Sequence, residues 1–174
     1  TQGYSSAASD VYKRQSPYYG KAFYKAQEAT QSRLPLSGTV LISVNRKDKA
    51  EVVEVARQFA ENGFKIVATE TTCKLINEAG IPAERVNKLQ EGRPNILDLI
   101  TNGKIDLIIN SPVGKDSIHD DSYLRKSAIK AKIPYMTTIA AAKATAKGIH
   151  NVKKHGLGDV QSLQELHSLI KDKE

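Results

Sequence analysis

From Gly38 onward the chain alternates short β-branched runs with stretches of helical periodicity, and this alternation narrows most what it can fold into. Strand, amphipathic helix and strand in succession build a parallel sheet covered by helices. Thr39-Val40-Leu41-Ile42-Ser43 reads as the first strand. Asp48 stands where it can cap a helix whose Val52, Val55, Ala56, Phe59 and Ala60 share one face, and Asn62-Gly63 ends that helix. Phe64 to Ala68 is the second strand. A threonine-rich loop, Ala68-Thr69-Glu70-Thr71-Thr72, then leads to a helix from about Cys73 to Ala79, closed by Gly80-Ile81-Pro82. A short strand around Arg85-Val86-Asn87, a helix from Asn95 to Thr101 and the central strand Ile105-Asp106-Leu107-Ile108-Ile109 follow. Asp120 or Asp121 starts a helix reaching about Lys132, Pro134-Tyr135-Met136-Thr137 is the last strand, and Ala140 to Ala146 is helical by composition. Val160 to Ile170 adds an amphipathic helix with Leu163, Leu166 and Ile170 on one face. The sum is a doubly wound α/β fold, about five parallel strands with helices on both faces, whose ligands bind beyond the carboxyl ends of the strands.

Ahead of this body, residues 1–16 lack either period and read as a disordered or non-native extension. From Pro17 to about Gln31 the apolar Ala22, Phe23, Ala26 and Ala29 recur at helical spacing, predicting one extra helix before the sheet. The Pro/Ser/Gly-bearing stretch up to Gly38 has the composition of a linker.

At 174 residues and 40% hydrophobic, the chain has room for one ordinary domain with a real core. Its single cysteine, Cys73, excludes an internal disulfide framework and suits a reducing cytoplasm, and no apolar run reaches the length of a membrane span. A net charge of +7 suits an anionic ligand. Scattered basic residues, no Trp and only 6% aromatics argue against a nucleic-acid surface. The four histidines show no metal-ligand spacing with one another or with Cys73, and Lys153-Lys154-His155 reads as a solvated turn.

The strand-end rule gathers a set of polar residues. Ser43, Thr69, Asn110 and Thr137 close or follow strands, Lys49 opens the first helix, and Lys88 follows the third strand. The Thr69 to Thr72 stretch points backbone N–H groups and hydroxyls along the positive end of a helix dipole, which holds a phosphate or carboxylate. Lysines, hydroxyls, an amide and a helix N-terminus facing one crevice suit a phosphorylated, hydroxyl-bearing ligand. With no local base, Thr69, Thr71 and Thr72 are binders rather than nucleophiles.

Taken together, Ser43 with Lys49, Ala68-Thr69-Glu70-Thr71-Thr72, Glu78-Ala79-Gly80-Ile81, Val86-Asn87-Lys88, Glu91-Gly92-Arg93-Pro94 and Ile108-Ile109-Asn110 resemble the methylglyoxal-synthase-like domain at the C-terminus of the carbamoyl-phosphate synthetase large subunit. The likeness runs from about Gly38 to the end. Lys21-Ala22-Phe23-Tyr24-Lys25-Ala26-Gln27 is similar to the closing helix of that enzyme's second ATP-grasp half, so the resemblance implies that residues 17–37 are the last helix of a preceding domain plus a linker and 38–174 the regulatory domain.

The resemblance implies an allosteric, non-catalytic module of a cytoplasmic, ATP-dependent ligase that makes carbamoyl phosphate for the pyrimidine and arginine pathways. It further implies nucleotide effectors such as UMP or IMP held by Ser43, Lys49, Thr69, Thr72, Lys88 and Asn110, and an ornithine site that includes Asp120, Tyr135 and Thr137. No cofactor is implied for this portion. ATP with Mg or Mn belongs to the parent enzyme, whose ATP-grasp halves and glutaminase small subunit are the implied partners. One departure is Ser111-Pro112 where many members carry two threonines, which removes a hydroxyl and an N–H donor. Methylglyoxal synthase itself, a lyase acting on dihydroxyacetone phosphate, is the alternative, but it needs a carboxylate base where this chain has Arg93. A guanidinium cannot abstract a proton at neutral pH.

Overall fold

A computed structural model describes residues 19–28, 33–111 and 118–156, the side chains of 118–120 excepted. The expected extension 1–16, the helix from Val160 to Ile170, Pro112 and the Asp120 side chain lie outside the described residues.

The described elements are α1 (Tyr19–Glu28), β1 (Gly38–Ser43), α2 (Lys49–Glu61), β2 (Phe64–Thr69), α3 (Glu70–Glu78), β3 (Ala83–Val86), α4 (Ile96–Thr101), β4 (Leu107–Asn110), α5 (Ile118–Lys130), β5 (Tyr135–Met136) and α6 (Ile139–His155). All five strands are parallel, in the order β3-β2-β1-β4-β5. The chain steps outward from β1 to β3, then crosses back to lay β4 against the other side of β1. The reversal places a topological switch point between β1 and β4, where an open α/β sheet leaves a crevice at its carboxyl edge.

Strand alternation divides the core between two faces. Val40, Ile42, Ile66, Ala68, Leu107, Ile109 and Met136 pack with α1, α2, α3 and α6, while Leu41, Val67, Val86 and Ile108 pack with Ile96 and Ile100 of α4 and Leu124 and Ala128 of α5. Covered on both sides, the central strands need apolar residues at every position, and Val40-Leu41-Ile42 and Leu107-Ile108-Ile109 are wholly buried. On α2 the buried stripe is Val52, Val55, Ala56 and Phe59, with Phe59 edge-on to Phe64 at 5.4 Å between ring centroids. Each of the valine and phenylalanine side chains contributes about 1.5–3 kcal/mol by leaving water.

Several boundaries differ from the sequence reading. Helix α3 begins at Glu70, directly after the strand, so Ala68 to Thr72 is a strand end and a first helical turn rather than a loop. Thr69 alone makes the transition, with an extended backbone at φ −66°, ψ 152°. Asp48 stands at the N-cap position of α2 but its side chain makes no capping bond. Instead Asn45 Oδ1 accepts from the Lys47 and Asp48 N–H groups, at 2.8 and 3.1 Å, and so forms the turn. Helix α6 runs to His155 rather than stopping near Ala146, which makes Lys153, Lys154 and His155 its last turn and sets positive charge at the negative end of the dipole.

The extension of α6 has a tertiary cause. Helix α1 crosses it so closely that a Cβ on Gly148 would lie 2.9 Å from the Gly20 carbonyl oxygen. Glycine at 148, costly in an isolated helix, is what this crossing requires. Tyr24 of α1 is buried in the same core and its hydroxyl donates to the Leu34 carbonyl at 2.8 Å.

Candidate functional site

The carboxyl rim of the sheet assembles from strand register and parity. Ser43 pairs with Asn110, Ile42 pairs with Ala68 so that Thr69 stands one step on beside Ser43, and Thr69 pairs with Val86. Ser43, Thr69 and Asn110 share parity with Leu41, Val67 and Ile108, so all three lie on the α4/α5 face. Polar side chains on three neighbouring strands, about 5 Å apart from strand to strand, thus end the sheet at its switch point.

Around them stand the remaining expected residues. Thr72, wholly buried, lies beneath Thr69 with their hydroxyl oxygens 3.5 Å apart. Lys49 opens α2 and is half-buried; Lys88 is exposed two residues beyond β3. Thr137 follows β5, where Met136 pairs with Ile109, so it flanks Asn110. Thr69 makes no capping bond, so the first-turn N–H groups of α3 are not closed off by their own N-cap side chain. Glu70, an acidic residue in that same turn, is neutralised by Lys74 at 3.3 Å and Arg85 at 3.5 Å.

Beside β4 the contacts are tighter. Asn110 Nδ2 donates to Asp121 Oδ1 at 2.9 Å and to the Tyr135 hydroxyl at 2.7 Å. The Arg125 guanidinium sits 5.7 Å from the centre of the Tyr135 ring. Burial pushes the Tyr135 phenol above its ordinary value; the Asn110 bond opposes this, Asp121 reinforces it and Arg125 opposes it. A residue from the expected nucleotide set and one from the expected ornithine set are therefore in direct contact.

Sequence reasoning passed over two groups that hold the rim together. The Ser111 N–H donates to the Ser43 carbonyl at 3.0 Å, and Ser111 Oγ accepts from the Asn45 N–H at 3.0 Å. With Asn45 also forming the turn before α2, this pair fixes the loop that delivers Lys49. An Asn three residues ahead of the N-cap position Asp48 is the available signal. Asp121 was read only as a possible helix start, and its contact with Asn110 is long-range, so nothing local marked it.

Arg93 is exposed, 3.7 Å from Asp98, and the adjoining Asn95 and Asp98 form a capping box that starts α4. Cys73 is packed: Asn77 Nδ2 lies 3.3 Å from its sulfur, and burial raises the thiol's pKa. A separate cleft of about 770 Å³ lies between β2, β3 and α4, lined by Val67, Val86 and Leu99 with Lys65, Arg85 and Asp106 at its polar margin. It does not include Ser43, Thr69, Lys88 or Asn110. Among the described residues no helix is long and apolar enough to cross a membrane.

Comparison with known proteins adds the family. The MGS-like domain family matches residues 51–137. The carbamoyl phosphate synthase large chain of Acidobacterium capsulatum is 49% identical over 150 residues, covering 86% of this chain and 14% of its own length. The C-terminal section of the same protein from Methanopyrus kandleri is 47% identical over 150 residues, covering 86% of this chain and 28% of its own length. The chain thus spans only a small part of these relatives. Among solved structures, methylglyoxal synthase from Elizabethkingia anophelis is similar with a TM-score of 0.54 and 21% identity, covering 65% of this chain and 79% of that one, a likeness of fold. The sheet order, the matched segment and the identities agree: the chain belongs to the MGS-like domain family, in the branch carried by carbamoyl phosphate synthase large chains.

Proposed function

We propose that this chain is the effector-binding module of a carbamoyl phosphate synthase large chain, taking a nucleotide such as UMP or IMP at the carboxyl rim of β1, β2 and β4. The observation that carries this reading is the alignment of Ser43, Thr69 and Asn110 on adjacent strands and one face, at the switch point. The uncapped start of α3 with Thr69 and Thr72 suits the phosphate, and Lys49 and Lys88 supply positive charge. Asp120, Tyr135 and Thr137 would contribute to an ornithine site beside it.

The reading extends to the whole enzyme. Occupancy of the rim regulates glutamine-dependent synthesis of carbamoyl phosphate in the cytoplasm, for pyrimidine and arginine formation. Catalysis, with ATP and Mg or Mn, belongs to the ATP-grasp halves of the large chain, working with the glutaminase small subunit. An effector acts only through unequal affinity for the active and inactive states, so the segments carrying Asp120 and Tyr135 must meet the rest of the large chain differently in the two.

Calorimetry of this chain with UMP, IMP, ornithine and dihydroxyacetone phosphate, alongside an assay for methylglyoxal, tests the proposal. UMP or IMP binding that Lys88→Ala weakens at least tenfold is the expected result. Methylglyoxal production would overturn it, as would a folded chain that binds neither nucleotide.

A further inference from the structure

Asparagine can face a ligand in two nearly isosteric ways, with its amide nitrogen toward an acceptor or its carbonyl oxygen toward a donor. At Asn110 the neighbours decide between them. A carboxylate accepts and cannot donate, so the amide atom 2.9 Å from Asp121 Oδ1 must be the NH2 group. Turning the amide over would set oxygen against carboxylate oxygen at a position only 4% exposed, where an unmet polar contact is costly. Nδ2 has two protons, and both are committed, to Asp121 and to the Tyr135 hydroxyl. Oδ1 alone remains to face a ligand, and among the described residues nothing donates to it.

We infer that Asn110 is an acceptor-only contact that holds a sugar hydroxyl of the ligand rather than its phosphate, and that Asp121 is the positioning residue that sets this direction. The inference rests on the nucleotide reading above and divides the work within that site. A phosphate monoester is chiefly a dianion above its second pKa of about 6 and offers acceptors, so an outward carbonyl repels it. The phosphate then falls to Lys49, Lys88 and the start of α3, and the ribose to the β4 side. Tyr135, accepting from Asn110, keeps its own proton to donate. An ammonium group, as on ornithine, is the other donor that an outward carbonyl could take.

Calorimetry with UMP and its 2′-deoxy and 3′-deoxy analogues reads the hydroxyl contact directly. In the unsubstituted chain one analogue should bind about 5- to 10-fold more weakly than UMP, the worth of one hydrogen bond. That ratio should fall to near one in Asn110→Ala and shrink in Asp121→Asn, whose amide can face Asn110 with either atom. In Lys88→Ala all three ligands should weaken together with the ratio kept. A merely structural role for Asp121 would lower every affinity alike and leave the ratio unchanged.

Equal binding of all three ligands in the unsubstituted chain overturns the inference while leaving nucleotide binding intact. A ratio that survives Asn110→Ala overturns it too. If Asn110→Ala instead weakens ornithine and leaves the nucleotide ratio alone, the donor is an ammonium and the hydroxyl assignment is wrong. Failure of every nucleotide to bind overturns the functional reading itself. A ligand-free measurement covers the orientation separately: NMR of the free chain should show both Asn110 side-chain amide protons shielded from solvent exchange, and rapid exchange of both refutes the geometry.

Discussion

At the scale of single residues, Tyr135 and Cys73 show how placement overrides identity. The Tyr135 phenol is raised chiefly by burial, so the fold favours its neutral form. The stability this contributes is complete below the unfolded value of about 10 and is lost as the pH rises through the raised folded value. Tyr135→Phe should therefore flatten the fall in melting temperature above about pH 10, relative to each protein's own value at pH 7, in thermal melts from pH 7 to 11. At neutral pH the same substitution removes an acceptor from Asn110 and should lower stability by about 1 kcal/mol. Cys73 closes the first turn of α3, where a helix N-terminus can favour a thiolate. Burial raises it instead. Alkylation by iodoacetamide at pH 8 should be slow in the folded chain and become fast on adding denaturant, followed by mass spectrometry.

At the scale of elements, legibility followed how local the signal was. Helix α2 was read nearly residue for residue because its stripe Val52, Val55, Ala56 and Phe59 and its Asn62-Gly63 stop are written within one segment. Helix α3 began three residues earlier than its composition suggested, since the β-branched Thr71 and Thr72 argue against helix until Thr72 is buried under the sheet edge. Composition marks only Ala140 to Ala146, whereas α6 continues through Gly148 to His155. The glycine's reason is the α1 backbone crossing above it. Gly148→Ala gains about 1 kcal/mol of helix propensity but forces a methyl against the Gly20 carbonyl, at an overpacking cost of about 1–3 kcal/mol. The backbone oxygen yields less readily than a side chain, so a lower urea midpoint is expected, with the loss concentrated in the α1 contact. Hydrogen exchange should report faster opening of α1 in the variant.

At the scale of the molecule, the proposed rim site would draw on the +7 charge of the chain. A nucleotide that binds only the folded chain stabilises it by mass action, about 2.7 kcal/mol at a hundredfold excess over Kd. UMP should raise the melting temperature accordingly, and the shift should shrink between 50 and 500 mM salt as the lysines are screened. Lack of any shift at millimolar UMP in low salt would contradict the proposed site. The cleft beside α4, about 770 Å³, holds none of the polar rim residues.

The sequence by itself determined the parallel α/β class, the strand-end set Ser43, Thr69 and Asn110, and the family, because apolar alternation and short motifs are properties of contiguous residues. Only the tertiary structure decided that Thr69 to Thr72 opens a helix without a loop, that Ser111 and Asn45 brace the Lys49 turn, and that Asp121 and Tyr135 turn the Asn110 amide. Those are contacts between residues that the chain keeps apart and the sheet brings together. Which way the Asn110 amide faces depends on a carboxylate eleven positions away on another element. No local pattern encodes that.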